Sequence, residues 1–180
     1  ASDPGPSHQF GTSVAIQGDT AFVGAPVHPP GGMVYIFERN QGGPDAWGEV
    51  RQIRGEEVTW GDYFGISMDL SGDFLIVGAY AGGDYDGSAY IFERDHGGSN
   101  AWGQVARLVP EDNPAYNFFG YSVAISGEIA AGGAPGYNFI TGAAYIFERQ
   151  VDGSWLEVVQ VTPDDGEPQD FFGIAIDLNG

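Results

Sequence analysis

A pentapeptide repeated at constant spacing constrains the fold of this chain more than any other feature. Tyr-Ile-Phe-Glu-Arg occurs at 35–39, 90–94 and 145–149, a period of 55 residues. A fixed period of this size predicts a propeller or a solenoid, in which each unit buries its apolar faces against its neighbours. A second motif, Phe-Gly, keeps nearly the same spacing and occurs as Phe10-Gly11, Phe64-Gly65, Phe119-Gly120 and Phe172-Gly173.

Each unit is predicted to contain four short antiparallel strands. In the first unit, an alternating segment at 12–17 leads through the tight turn Gly18-Asp19 to a second strand at 21–24. Helical periodicity is absent from the sequence, so the fold class is all-β. The remaining strands are predicted at 33–39, 47–53, 66–70, 74–78, 89–94, 102–109, 121–126, 129–132, 143–149 and 155–161.

Four antiparallel strands per unit, repeated around an axis, describe the blades of a β-propeller. The whole chain, 1–180, is therefore predicted to be one partial propeller. Three blades are expected at about 10–54, 64–109 and 119–162, and the segment 172–180 is expected to be one extra inner strand of a fourth blade.

The order of motifs within each unit resembles the FG-GAP repeat. Phe-Gly, an alternating strand, a Gly-Asp turn, Gly-Ala-Pro (24–26 and 133–135) and a Tyr-containing strand follow one another as they do in that family. The resemblance implies a propeller like that of integrin α subunits, with the Phe-Gly strand innermost and its Phe ring between blades. It also implies an extracellular or cell-surface protein that acts in binding or adhesion without catalysis.

Three blades cannot close a ring, because propellers have about four to eight. Two explanations stay open: the chain is a fragment of a longer array, or self-association completes the ring. The second makes the chain a structural assembly protein, which is the alternative to a binding module. Either way, we expect the remaining blades to come from the same or another chain, since open sheet edges and faces invite aggregation.

The charge balance narrows the class of partner. The chain has 25 acidic residues against 6 basic ones, all Arg, and a net charge of -19. Such a surface should repel nucleic acid and anionic lipid, and no segment is apolar enough to insert into a membrane. Divalent cations, cationic partners and neutral glycans are compatible with it, and so is simple solubility in a saline habitat. The chain has no Cys, which excludes a thiol nucleophile and disulfides.

Residues that differ between the copies are the candidates for ligand binding. Strand alternation places the loops between strands two and three on the same face as the loops that join successive blades. Exposed aromatic rings beside polar groups suit sugar stacking or a protein hot spot, and packing between adjacent loops is the alternative. The candidates are His28, Trp60, Tyr80, Tyr85, Tyr116, Tyr137, Asn138 and Phe139.

Calcium is the one cofactor that the sequence raises. The calcium loop of integrin-type blades is not carried over, because the turns at those positions have two residues and Ca²⁺ takes six to eight oxygen ligands. Weaker candidates are Asp84 and Asp86, and the carboxylates Asp112, Asp164 and Asp165 that precede Phe-Gly motifs. The alternative for these acids is turn formation, since Asp and Asn side chains accept backbone N–H groups.

The remaining recurrent residues favour structural roles. Glu-Arg ends the third strand of every unit, and Trp47, Trp102 and Trp155 open the fourth. We expect the former to form ion pairs and the latter to pack between strands. An enzyme needs one asymmetric site, so repetition in every unit argues against catalysis, and a polysaccharide-active enzyme is the least favoured hypothesis.

Overall fold

Three four-stranded antiparallel sheets follow one another along the chain, each paired in sequence order. The computed structural model describes residues 1–3, 5, 7–82 and 85–179. Blade 1 contains β1 (Val14–Gln17), β2 (Thr20–Ala25), β3 (Met33–Arg39) and β4 (Trp47–Ile53). Blade 2 contains β5 (Met68–Ser71), β6 (Phe74–Ala79), β7 (Ser88–Glu93) and β8 (Gly103–Leu108). Blade 3 contains β9 (Ser122–Ser126), β10 (Ile129–Ala134), β11 (Ala143–Arg149) and β12 (Trp155–Val161).

The predicted all-β fold of three propeller-type blades is confirmed, and the ring is not closed. Among the described residues, one short helical turn, α1 (Tyr137–Ile140), lies in the loop between β10 and β11, and three of its four residues have left-handed φ. No helix within the described residues has the length and apolar character that crossing a membrane requires. The predicted strands differ from the observed ones by one or two residues at several ends, which is the usual uncertainty of strand ends.

Each blade presents two different faces, because neighbouring side chains of a strand point to opposite sides. The Tyr and Phe of the pentapeptide lie on one side, here called the Tyr-Phe face, and the Ile between them lies on the other, the Ile face. Ile36 of blade 1 packs in one buried cluster with Tyr90 and Phe92 of blade 2. Ile91 of blade 2 packs in the same way with Tyr145 of blade 3. Successive blades therefore join Ile face to Tyr-Phe face.

The Phe of the second and third Phe-Gly motifs fills the space between blades, as the resemblance implied, whereas Phe10 and Phe172 lie at the open ends and are 47% and 36% exposed. Phe64 and Phe119 are fully buried. The Phe64 ring lies 5.6 Å from the ring of Tyr90 and meets it edge to face. The Phe119 ring lies 5.7 Å from the ring of Tyr145 in the same arrangement. Edge-to-face aromatic pairs at this distance add to the stabilisation that burial provides.

Each Phe also connects its blade to the preceding blade through the backbone. Phe64, Phe119 and Phe172 form isolated parallel bridges with Gly32, Gly87 and Gly142, respectively. A Cβ atom on any of these three glycines would overlap the carbonyl oxygen of its Phe partner. The glycine that precedes the third strand of each blade therefore permits a close approach of backbone between successive blades.

The glycines of the Phe-Gly motifs share a left-handed backbone conformation, and three of them also lie close to other backbone. Their φ angles are +91, +90, +86 and +83 at Gly11, Gly65, Gly120 and Gly173. A Cβ would overlap the carbonyl oxygen of Ser88 at Gly120 and that of Ala143 at Gly173, and it would lie 3.0 Å from the carbonyl oxygen of Met33 at Gly65. A Cβ on Gly11 would meet nothing within 4 Å. Left-handed φ is the property that requires glycine at all four positions, since other residues rarely adopt it.

The two outer faces of the three-blade unit leave apolar side chains exposed. On the Tyr-Phe face of blade 1, Val14 and Ile16 are 68% and 66% exposed. On the Ile face of blade 3, Leu156 and Val159 are 54% and 47% exposed. The inner strand predicted at 172–180 forms no ladder within the described residues 172–179; only Phe172 makes a bridge, to Gly142 of blade 3. In the other blades the first strand pairs with the second strand of its own blade.

The recurrent Arg and Trp residues have structural roles. Arg39 and Arg94 each contact the Asp of the first turn of their own blade, at 3.1 Å. Arg149 contacts Glu128 at the equivalent position, at 3.7 Å. Trp102 and Trp155 are buried, and the Trp102 ring lies 4.8 Å from the ring of Phe22 in blade 1. The expected ion pairs therefore form within each blade, and the Trp rings pack between blades.

Candidate functional site

The loops between strands two and three lie beside the segments that enter the next blade, on one face of the molecule, here called the loop face. Backbone hydrogen bonds hold the two kinds of segment together in every repeat. The N–H of Phe64 donates to the carbonyl oxygen of Gly31 at 2.8 Å, and the N–H of Phe119 donates to that of Asp86 at 3.1 Å. The N–H of Phe172 donates to the carbonyl oxygen of Thr141 at 2.9 Å. Loop side chains of neighbouring blades are therefore held side by side.

An open groove of about 800 Å³ lies between the loops of blades 2 and 3, here called the aromatic groove. The rings of Tyr85 and Tyr116 stack at its edge, with centroids 5.8 Å apart and planes 11° from parallel. Tyr116, Tyr137, Asn138 and Phe139 are among the residues that line it. The structure thus brings together five of the eight candidate residues that the sequence pointed out.

The far wall of the aromatic groove is a left-handed turn. Asn138, Phe139 and Ile140 have φ angles of +45, +59 and +71. Left-handed backbone is costly for residues with a Cβ, and a β-branched residue in this region is a marked outlier. The Phe139 ring projects from this turn and is 84% exposed. Strain of this kind clusters at ligand-binding loops, where the surrounding structure fixes it.

A second cavity of about 270 Å³, here called the aromatic cavity, lies on the loop face between blades 2 and 3 and residues 171–174, and it shares Phe118 and Ile140 with the lining of the aromatic groove. Tyr80 is its central ring, 5.5 Å from the ring of Tyr121 and 6.0 Å from the ring of Phe118. Burial, together with the neighbouring tyrosines, raises the pKa of Tyr80 above the usual tyrosine value, so its phenol stays neutral. The residues that line the cavity are Tyr80, Phe118, Tyr121, Pro135, Ile140, Phe171 and Ile174.

One position that contributes to the loop face was not singled out from the sequence, the residue immediately before each Phe-Gly motif. It has left-handed φ in every copy. Aromatic residues at this position in three of four copies are the signal that could have found them. The residues are Gln9 (φ +54), Tyr63 (φ +59), Phe118 (φ +58) and Phe171 (φ +55).

Two candidates, His28 and Trp60, lie away from the aromatic groove. Both line a small pocket of about 90 Å³ at the loops of blade 1. The Nε2 atom of His28 lies 2.8 Å from Asp3 Oδ2, and the Tyr35 hydroxyl donates to Asp3 Oδ1 at 2.6 Å. The hydrogen bond from Tyr35, followed by that from His28, lowers the pKa of Asp3. His28 therefore has a structural partner, and Trp60 is the exposed residue of this pair.

The candidate calcium ligands do not gather into a site. Within residues 1–3, 5, 7–82 and 85–179, no group of three or more His, Asp or Glu residues is placed to hold a metal ion. Asp84 lies outside the described residues. Asp86 Oδ1 accepts the N–H of Gly87 at 3.0 Å, and Asp112 Oδ2 accepts the Tyr137 hydroxyl at 3.1 Å. Asp164 and Asp165 are exposed. Calcium binding stays a prediction.

The side chain two residues before Phe accepts a backbone N–H three residues earlier at three of the four Phe-Gly motifs. Asp62 accepts the N–H of Thr59 at 2.8 Å, and Asp170 accepts that of Glu167 at 2.7 Å. His8 accepts the N–H of Gly5 through Nδ1 at 3.2 Å. Asn117 differs, because its amide donates to the side chain of Asn113 at 2.9 Å.

Comparison with known proteins agrees with the repeat period and the blade architecture. A family model described as the FG-GAP repeat matches residues 1–37, 47–92 and 102–147, which is more than half of the chain. FG-GAP repeats are generally non-catalytic and occur in extracellular proteins. No curated protein matches the chain.

Proposed function

Because this chain belongs to the FG-GAP repeat family, we propose that it is a non-catalytic extracellular or cell-surface binding module that recognises a glycan. The aromatic groove between blades 2 and 3 is the proposed site. The observation that carries the proposal is the exposed stack of Tyr85 on Tyr116, which faces a groove walled by Asn138 and Phe139.

The chemistry of the groove favours a neutral sugar over a charged ligand. A flat aromatic pair offers a surface on which a sugar ring can stack, and the Asn138 amide offers both a donor and an acceptor for hydroxyl groups. The net charge of -19 opposes binding of anionic polymers. A neutral glycan avoids that repulsion and needs no cationic side chain in the groove.

The lining of the groove also supports binding without turnover. Hydrolysis of a glycosidic bond uses two carboxylates that flank the bond. The described residues that line the groove include no Asp or Glu. Asp112, the nearest candidate acid in the adjoining loop, already accepts the Tyr137 hydroxyl.

A glycan array tests the proposal. We expect saturable binding to a subset of neutral glycans, and a loss of at least about tenfold in affinity when Tyr85 and Tyr116 are both replaced by Ala, since each ring-sugar contact contributes on the scale of an aromatic pair. Trp47→Ala is the matched control, because Trp47 is a partly exposed aromatic residue at the start of β4 in blade 1, away from the aromatic groove. Release of sugar from a bound glycan would contradict the non-catalytic assignment. Absence of any glycan binding, with binding to a purified protein instead, would favour a protein ligand.

A second function, assembly with a second copy of this chain, is favoured by the two outer faces. Val14 and Ile16 lie on an open Tyr-Phe face, and Leu156 and Val159 lie on an open Ile face. These are the two kinds of face that bury one another between blades 1 and 2 and between blades 2 and 3. A head-to-tail contact between copies would therefore repeat an interface that the chain already contains.

The solution mass of the chain tests this assembly. We expect a closed oligomer that Val159→Glu returns to monomer, because a buried unpaired charge is costly. Val151→Glu is the control, since Val151 is fully exposed in the loop between β11 and β12. By the repeat, residues 172–179 correspond to residues 10–17, which include β1 of the first blade. Truncation after Pro168 should therefore change the solution mass of the oligomer. A monomer that neither change affects would mean that other blades of a longer chain cover these faces.

A further inference from the structure

We propose that the aromatic cavity is a binding site for a quaternary ammonium group of the kind that choline carries. Four aromatic rings, those of Tyr80, Phe118, Tyr121 and Phe171, line it, and the rest of its described lining is aliphatic. The faces of aromatic rings attract cations, and cages of such rings are used in proteins to hold methylated ammonium groups. The inference rests on the proposed function, because the cavity lies on the same loop face as the aromatic groove.

The lining selects a cation that has no N–H groups. A primary ammonium has three donors, and burying them without acceptors costs free energy. No Asp, Glu, Asn or Gln is among the described residues that line the cavity, so the side chains there offer two acceptor atoms, the hydroxyl oxygens of Tyr80 and Tyr121, for three donors. A quaternary ammonium has only methyl groups at its surface, so it gains contact with the rings and leaves no hydrogen bond unmade.

The size and charge of the molecule fit a small free cation. An apolar cavity of about 150 Å³ holds a benzene molecule, so a cavity of about 270 Å³ has room for a trimethylammonium group and a short chain. The net charge of -19 draws cations to the surface and repels attached phosphate. We therefore expect choline to bind more tightly than phosphocholine.

Two of the rings are held in place by the backbone before any ligand binds. Phe118 and Phe171 both have left-handed φ. Their N–H groups donate to the carbonyl oxygens of Tyr85 at 2.9 Å and Ile140 at 3.0 Å, in the loop of the preceding blade. Rings that are already positioned lose little conformational entropy on binding, which favours affinity for a small ligand.

Titration with choline, followed by the proton NMR signal of its N-methyl groups, tests the proposal. We expect saturable binding and an upfield shift of that signal, because the methyl protons lie over ring faces. Dimethylbutanol, the neutral isostere of choline, should bind roughly five- to thirtyfold more weakly, the ratio that corresponds to a partly desolvated cation–π contact. Ethanolamine should bind more weakly than choline, because its ammonium keeps three N–H donors.

Removal of one ring provides the second arm. Tyr121→Leu keeps an apolar side chain at a partly exposed position, and we expect it to weaken choline binding at least about threefold. Trp60→Leu, which removes a ring from the separate pocket of blade 1, should leave choline binding unchanged. Equal binding of choline and dimethylbutanol, equal binding of choline and ethanolamine, or an unchanged affinity in Tyr121→Leu would each overturn the proposal.

Failure of this site can be told apart from failure of the proposed function. The glycan array depends on the stack of Tyr85 on Tyr116 at the edge of the aromatic groove, and neither of these residues lines the aromatic cavity. Absence of choline binding by a chain that binds glycans would overturn the cage alone. The ligand comparison on the unmodified chain decides the matter even if Tyr121→Leu does not fold.

Discussion

The side-chain hydroxyl of Ser67 donates a hydrogen bond to the main-chain carbonyl oxygen of Gly120 in the next blade, at 2.9 Å. The same bond joins Ser13 to Gly65 at 2.6 Å and Ser122 to Gly173 at 2.7 Å. It connects the innermost segments of successive blades, where no ladder hydrogen bonds run between sheets. This repeated side-chain contact thus joins the blades in addition to the backbone hydrogen bonds of the Phe-Gly segments, the Phe ring and the apolar clusters.

Loss of the Ser67 hydroxyl should destabilise the chain. We expect Ser67→Ala to lower the free energy of unfolding by about 1 kcal/mol, because the Gly120 carbonyl loses a partner in a partly buried position. Urea denaturation measures this. Ser99→Ala, at an exposed loop position, is the control and should change the free energy by less than about 0.5 kcal/mol. Equal effects of the two changes would show that the contact does not stabilise the interface.

The glycine of the Gly-Ala-Pro position permits that approach, and its substitution should be more harmful. A Cβ on Gly78 would overlap the carbonyl oxygen of Gly120 in the next blade. We expect Gly78→Ala to cost more than about 2 kcal/mol, since the inner segments of two blades must separate to make room. Gly127→Ala, where φ is +58 and the added Cβ would meet nothing within 4 Å, isolates backbone strain and should cost about 1 kcal/mol. A smaller loss at Gly78 than at Gly127 would contradict the assigned contact.

The fold was readable from the sequence because its signals are repeated. Each strand is short and ambiguous alone, but the 55-residue spacing of Tyr35, Tyr90 and Tyr145 places every strand three times. The alternation of side chains along each strand, together with this spacing, also predicts which face of each blade is buried. The contact of Ser67 with Gly120 could not be predicted, because it depends on the distance between two sheets that are far apart in sequence.

Buried tyrosines should make the fold sensitive to alkali. Burial raises the pKa of Tyr90 to about 12, against a usual value of 10.0, and burial also raises the pKa of Tyr35 and of Tyr145. Above pH 10 the unfolded chain loses these protons while the native chain keeps them. The free energy of unfolding therefore keeps its full value below about pH 10 and falls as the pH rises towards 12.

Denaturation at a series of pH values, with the ultraviolet absorbance of tyrosinate recorded in parallel, measures this fall. Tyr90→Phe removes one contributing proton, so we expect a shallower fall in the free energy of unfolding between pH 10 and 12. Tyr116→Phe, on a ring that is 62% exposed, is the control. An identical pH dependence in the unmodified chain and Tyr90→Phe would contradict a native state that holds Tyr90 neutral.

The sequence predicted several of the residues that form the candidate site but not how they are arranged. Loop variability pointed to Tyr85, Tyr116 and Phe139; Tyr116 and Phe139 line one groove, and Tyr85 stacks on Tyr116 at its edge. It also pointed to His28, which instead pairs with Asp3. Phe118 was overlooked because its importance comes from a left-handed backbone, and residue type alone does not indicate that a bulky aromatic residue adopts one.

The left-handed turn of the aromatic groove should lower the stability of the fold and strengthen ligand binding. Phe139 has φ +59 and ψ +34, a conformation that glycine adopts without the penalty other residues incur. We expect Phe139→Gly to raise the free energy of unfolding by up to about 1 kcal/mol, or the Tm by about 2–4 °C, because the exposed ring contributes little packing. The same change should weaken glycan binding, since it removes a wall of the groove. Phe139→Ala keeps the strain and removes the ring, so it should weaken binding without raising the Tm. A lower Tm in Phe139→Gly than in Phe139→Ala would mean that the turn is not strained at this residue.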